Sequence, residues 1–422
     1  MEQKQNISKD TPIVKSLVHS TTKSTDALEQ PVPLDRLPWA GLLALAMTCF
    51  IGILTETLPA GLLPQISFGL GISEASAGQL VTWYALGSLL AAIPLTALTR
   101  NWPRRSLLLV CIVAFLLFNT ITAVSASYLI TVIARFGAGV AAGVLWGMVA
   151  GYARRLVSDR LKGRAMAIAM SGTPIALALG VPLGTFLGNF VGWRWVFGMM
   201  SILSFLLIFW IYWKLPNVKG QTTSQRYSLA TIFCLPGVRP ILSVVFIWVL
   251  AHNILYTYIA PYLSFTSLAQ RTDVVLLVFG GTSIIGIWIT GALIDRWLRK
   301  LVLISIAIFT LAAFILGIGS HSAILIMVGV VLWGVTFGGA ATLLQTALAE
   351  ATGEQADVAQ SILVTSWNLA ISGGAALGGL LLLSVGSLAL PWVLMLLALV
   401  AFIISWTASR YSFVPNSSVH DT

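Results

Sequence analysis

WAGLLALAMTCFIGILTETLPAGLLP, Trp39 to Pro64, carries one charged residue along its whole length, Glu56. At 1.5 Å of rise per residue, about 20 apolar residues in a helix cross the ~30 Å hydrocarbon layer of a bilayer. The stretch is long enough to span. A charge held at mid-membrane costs at least ~2.5 to 3.5 kcal/mol on insertion scales, so a carboxylate inside such a helix is read first as a functional group.

Eleven further segments of the same kind follow, near 78–98, 104–124, 127–150, 165–188, 193–213, 240–264, 273–294, 300–319, 323–347, 358–384 and 389–408. The composition agrees: 58% of the 422 residues are hydrophobic and 9% are charged, against about 25% charged in soluble domains. The chain is built for lipid. The net charge of +10 does not point to nucleic acid, because the basic residues sit in short loops and not on one face of a soluble fold.

Those loops also orient the chain. With twelve spans both termini lie on one side, and 21 of the 24 Lys and Arg residues fall there, leaving only Arg194 and Arg271 in opposite loops and Arg135 inside a span. The excess of positive charge predicts cytoplasmic termini. Residues 1–36 are polar, lack the apolar core of a secretory signal and read as a disordered cytoplasmic tail. The polar stretch 215–239 separates spans 37–214 from spans 240–408, and 409–422 reads as a second cytoplasmic tail.

The two halves resemble each other. Thr55-Glu-Thr-Leu-Pro59 near the end of the first span parallels Thr257-Tyr-Ile-Ala-Pro261 near the end of the seventh, which aligns Tyr258 with Glu56. Thr99-Arg100 with Arg104-Arg105 after the second span parallels Asp295-Arg296 with Arg299-Lys300 after the eighth. Internal repeats of this kind are a signature of transporters.

Three motifs then carry a resemblance to a known family. Gly291, Leu293, Asp295, Arg296, Arg299 and Lys300 match G-x-L-x-D-R-x-G-R-R; Arg135-Phe-Gly-Ala-Gly139 matches R-x-x-x-G; and Gly172, Pro174, Gly180, Pro182 and Gly184 are similar to the antiporter motif of the fifth span. The chain resembles major facilitator superfamily transporters of the drug/proton antiporter branch, which includes arabinose, sugar and purine efflux permeases. The resemblance implies twelve transmembrane helices in two pseudo-symmetric six-helix bundles, an all-α fold. The first-half loop motif is eroded, with Leu95 and Thr99 where the family has glycine and aspartate. A gating role is expected of Gly291, Asp295, Arg296 and Arg299 and of Arg100, Arg104 and Arg105, which keep the charge of the eroded motif.

Glu56 and Arg135 each lie about eight residues, ~12 Å, from the outer end of their spans. In the resembled fold the first and fourth spans line the central cavity, so the two charges form a candidate proton-coupling pair; a fixed ion pair that only packs helices is the plainer reading. His252, Asn253, Tyr256 and Tyr258 on the seventh span are candidate substrate contacts, since polar groups in lipid must face protein or water. Trp146, Gln345, Trp367 and Asn368 join them.

No G-x-x-x-x-G-K-[ST] fingerprint appears, and no soluble stretch is long enough for a nucleotide domain. Neither H-E-x-x-H nor G-x-S-x-G is present, so no enzyme is expected. The three cysteines, Cys49, Cys111 and Cys234, have no ligand spacing, so neither metal nor cofactor is expected. The expected protein is a monomeric, proton-coupled exporter of a small molecule, such as a drug, sugar or nucleoside-like metabolite, in the cytoplasmic (inner) membrane. A proton symporter importing its substrate is the alternative.

Overall fold

The computed structural model describes residues 36–92, 94–99, 101–220, 229–353, 356–408 and 413. Arg36 and Phe413 apart, the two expected tails lie outside them, as does 221–228 of the expected linker.

Twelve spans appear in order, several of them interrupted. They are α1 (Trp39–Gly61, continued by Leu63–Leu70), α2 (Glu74–Ala92, continued by Pro94–Thr99), α3 (Arg104–Val124), α4 (Tyr128–Trp146, continued by Val149–Arg154), α5 (Lys162–Met170 through Val181–Val191) and α6 (Trp193–Lys214). A short helix, Leu229–Phe233, precedes the second half: α7 (Val238–Thr257, continued by Ile259–Ser264), α8 (Thr272–Ile294), α9 (Arg296–Ile318), α10 (Ala323–Gly338, continued by Ala340–Thr352), α11 (Ala356–Ser384) and α12 (Leu390–Thr407). Eleven of them are apolar and long enough to cross a membrane by composition alone; α2, with Glu74, Gln79 and several small residues, falls short of that apolarity.

Some breaks fall at prolines, while those of α4 and α10 fall at Gly147 and Gly339. The first span was expected to stop at Pro64. It breaks at Leu62 and then runs on to Leu70, because a proline in the first turn of a helix forfeits no hydrogen bond and already has helical φ. In α5, Pro174 and Pro182 flank a π-helical turn, Ala176–Gly180, the local widening by which a helix absorbs disrupted i to i−4 bonding. The seventh span breaks at Tyr258, the position aligned with Glu56.

Of the most apolar stretch of each span, 72% is buried in α1 and α7, against 39% in α3, α6 and α9 and 33% in α12. The first two are the most enclosed spans, while α5 and α8 are as open as α3, α6 and α9. Large apolar side chains such as Val113, Leu206, Ile304 and Ile403 are exposed on α3, α6, α9 and α12, where hydrocarbon replaces water as their solvent.

Glycines set the closest approaches. A β-carbon at Gly172, Gly184 or Gly188 would run into Ala46, Leu58 and Leu62 respectively, so α5 lies directly against α1. One at Gly139 or Gly143 would run into the carbonyls of Tyr84 and Ser88, which brings α4 onto α2; at Gly338 it would meet Ser283, bringing α10 onto α8 in the same way. Such small-residue faces are how helices pack in lipid, where water supplies no drive.

Buried apolar side chains form two clusters. One lies in the first half toward the end bearing the chain termini, from Leu42 to Val218. The other fills the second half and continues into the far ends of α1, α2 and α6, through Leu58, Leu80 and Phe197. The halves are thus joined at the end away from the termini. There the Tyr258 hydroxyl donates to the carbonyls of Ala375 (2.9 Å) and Ala75 (3.3 Å), tying α7 to α11 and α2. Its ring sits where β-carbons at Gly78, Gly378 and Gly379 would otherwise be. At the other end Gly147, Gly151, Arg154 and Gln345 are exposed.

Candidate functional site

Glu56 and Arg135 are both buried, with the guanidinium fully enclosed. They are neighbours, but the fixed ion pair of the plainer reading is not formed. Arg135 Nη2 donates to the backbone carbonyl of Glu56 at 3.4 Å, and no nitrogen of Arg135 comes within 4.0 Å of the carboxylate oxygens. The guanidinium lies over the Tyr84 ring at 4.7 Å and the Phe197 ring at 5.9 Å, a cation–π setting that compensates some of its desolvation. Its Nε and Nη1 have no hydrogen-bond partner. Tyr84 is itself fixed by donating to the Gly52 carbonyl at 3.1 Å. One residue before Glu56, Thr55 accepts from Asn119 Nδ2 at 3.0 Å, pinning α1 to α3.

The carboxylate is bound by no described side chain and retains slight exposure. Across the boundary between halves, Tyr256 on α7 lies within electrostatic reach of it, with its hydroxyl beside the side chain of Thr57, the residue that follows Glu56.

Tyr256 belongs to an aromatic cluster built by α7, α8 and α10. His252, one turn before it, stacks on Phe337 with ring centroids 3.5 Å apart and planes within 4°. Phe279 and Trp333 close the sides, at 5.7 Å and 5.4 Å from the imidazole, and Trp367 stands 6.4 Å beyond Phe337. Trp333 Nε1 donates to His252 Nδ1 at 3.0 Å. Sequence reading missed Trp333, Phe337 and Phe279. The signal available was Trp333 and Phe337 four residues apart on one helix face, which in a lipid-spanning segment looks like any other apolar pair.

The remaining candidates scatter. Asn253 and Asn368 each donate to a carbonyl one turn back, Val249 and Val364, at 2.9 Å, which leaves their carbonyl oxygens for other partners. Trp146 packs on Gly52 of α1. Gln345 is exposed, with its backbone carbonyl accepting from Gln360. Tyr258 is not with the cluster; it is fully buried in the α2–α11 contact.

Among the expected gating residues, Arg105 donates to the carbonyls of Tyr212 and Leu215 at 3.4 Å, and Arg299 to Trp406 at 2.9 Å, so each clamps the end of a helix in its own half. The Arg104 backbone N–H donates to Val218, while Gly291 and Arg296 are exposed. Arg100 and the side chain of Asp295 lie outside the described residues. In α5, Gly172, Gly180 and Gly184 face α1, and Pro174 and Pro182 bound the π turn. Among the described residues no group of three or more His, Cys, Asp or Glu side chains is placed to hold a metal.

Twelve largely apolar helices, with a buried carboxylate beside a cluster of aromatic rings, define a polytopic membrane transporter. The Major Facilitator Superfamily model matches residues 45–356 and 264–420. Purine ribonucleoside efflux pumps NepI of Shigella sonnei (strain Ss046) and Escherichia coli (strain K12) are each 30% identical over 366 residues, 86% of this chain and 91% of theirs. Among solved structures, a D-xylose-proton symporter superposes with a TM-score of 0.71 at 15% identity, covering 91% of this chain and 99% of that one. The human organic anion transporter MFSD10 gives 0.64 at 16%, covering 88% and 100%. The chain belongs to the Major Facilitator Superfamily.

Proposed function

We propose that this transporter exports purine-ribonucleoside-class metabolites across the cytoplasmic membrane in exchange for protons. The observation that carries the reading is the juxtaposition of Glu56, a carboxylate bound by no neighbouring side chain, with a cage of aromatic rings reaching it through Tyr256. Flat faces suit a nucleobase by stacking, and the relatives named above are purine ribonucleoside efflux pumps. The oxygens of Asn253 and Asn368 and the His252 imidazole supply polar groups for the base edge or the sugar.

The coupling runs through charge. In a closed, dry site an unpaired carboxylate is costly, and either a proton or the guanidinium of Arg135 relieves it. With Arg135 turned to the Glu56 carbonyl and Tyr84, the proton takes that place; when substrate occupancy brings the guanidinium onto the carboxylate, the proton leaves. Substrate and proton then exclude each other, and reciprocity of binding makes the exchange run both ways.

Bodies 37–214 and 240–408 rock about this site, joined by 215–239. The Tyr258 contact closes the periplasmic end in the cytoplasm-facing state; the Arg100, Arg104, Arg105, Gly291, Asp295, Arg296 and Arg299 segments close the other end in the opposite state. Both termini are cytoplasmic, the protein works as a monomer in the inner membrane, and its partners are substrate, protons and lipid.

Everted membrane vesicles test it directly. Acidifying the lumen is expected to drive labelled adenosine or inosine inward. With Glu56→Gln, gradient-driven accumulation is expected to vanish while exchange of labelled for unlabelled nucleoside persists. Absence of nucleoside movement in the wild type overturns the substrate class, and unimpaired gradient-driven transport by the variant overturns the coupling role.

A further inference from the structure

Trp333 is the residue whose chemistry the proposed function leaves unused. An indole N–H can only donate, so the ring nitrogen it meets must be an acceptor. His252 Nδ1 is that acceptor, at 3.0 Å. The bond therefore holds the imidazole neutral, with its proton on Nε2. The ring cannot turn away, because it lies face to face on Phe337 and is bounded by Tyr256 and Phe279. Nε2 has no hydrogen-bond partner among the described residues, and His252 keeps 7% exposure. A donor with slight exposure is thus left unpaired beside the aromatic rings.

We propose that Trp333 is a positioning residue that fixes His252 as a one-way hydrogen-bond donor, so that the cage selects substrates presenting an acceptor, such as a ring nitrogen, carbonyl or ether oxygen, at the edge of a flat ring. This deepens the nucleoside reading and rests on it for the identity of the ring. The physical consequence is asymmetric discrimination: a ligand lacking the acceptor leaves Nε2–H unpaired, whereas one that carries it satisfies both groups.

Two measurements decide it. The first needs no substrate. Nitrogen-15 spectra of histidine-labelled protein in micelles, with the His252 signal assigned from a His252→Gln sample, are expected to show an unprotonated Nδ1 and protonated Nε2 from pH 5 to 8. In Trp333→Phe, which keeps an aromatic ring at the position, that signature is expected to give way to mixed tautomers and a protonated ring at the acid end. A wild-type ring protonated on Nδ1, or a spectrum unchanged by the substitution, overturns the role of Trp333.

The second compares transport of adenosine with its 1-deaza, 3-deaza and 7-deaza analogues in proteoliposomes of the full chain. One analogue is expected to show a KM roughly tenfold higher than adenosine in the wild type, as a lost neutral hydrogen bond implies. That ratio is expected to fall to near one in Trp333→Phe while the ratios for the other two hold. Equal handling of all four compounds by the wild type overturns acceptor selection. Failure to transport adenosine at all overturns the nucleoside reading instead, and the spectra still decide whether Trp333 sets the tautomer.

Discussion

Arg135 shows how much of a membrane site is decided by where one side chain turns. Its guanidinium rests on Tyr84 and the Glu56 carbonyl, and the more strongly hydrated lysine ammonium is harder to bury in such a place. Arg135→Lys is therefore expected to cut proton-driven transport by at least tenfold at unchanged expression and monodispersity, read in the same vesicle assay as Glu56→Gln. Tyr258 is the second residue whose atoms have a definite task. Tyr258→Phe keeps the ring in its glycine socket and deletes the bonds to Ala75 and Ala375. A buried hydrogen bond is worth about 1 kcal/mol, so the population closed at that end should fall by roughly fivefold relative to the open one. Distance measurements between spin labels on the outer ends of α2 and α11 check it. Glu56 and Arg135 were readable from sequence because a charge in lipid is rare. Trp333 and Phe337 were not, because an aromatic residue in a span costs nothing wherever it faces.

At the scale of the element, the prolines and glycines that resemble an antiporter motif gain a geometric meaning. The α5 glycines press onto α1, the helix that carries Glu56, and the prolines frame a π turn between them. The α4 glycines press onto α2 in the same manner. Gly139→Leu forces a side chain into the Tyr84 carbonyl, beneath the ring that carries Arg135. Overpacking of this kind costs about 1 to 3 kcal/mol, and a lower thermal midpoint together with lost transport is expected. Gly198→Leu, at a glycine with open space around it, is expected to leave both unchanged. The element boundaries were largely legible, since apolar runs and prolines mark them. The continuation of α1 past Pro64 was not: a proline ends one helix and begins another with equal ease, and only packing selects between them.

For the whole molecule, α2, α7 and α11 are tied together at one end through Tyr258, and at the other Gly147, Gly151, Arg154 and Gln345 of α4 and α10 are exposed. Sidedness has a direct test in the native protein. Of the three cysteines, Cys49 and Cys111 are buried and Cys234, in the segment before α7, is exposed. A membrane-impermeant maleimide is expected to label the protein in everted vesicles and not in intact cells, and the reverse pattern would place the termini outside. The amino-acid sequence by itself determined the twelve spans, their repeat and the residues able to carry charge in lipid, because the transfer of apolar and charged groups between water and hydrocarbon is a local property that each segment expresses alone. The tertiary structure decided that Arg135 donates to a carbonyl, that Tyr258 binds α2 and α11 instead of joining the aromatic cluster, and that Trp333 donates to His252. Each of these depends on which helix faces which at distances of a few ångströms, and hydropathy carries no information about that.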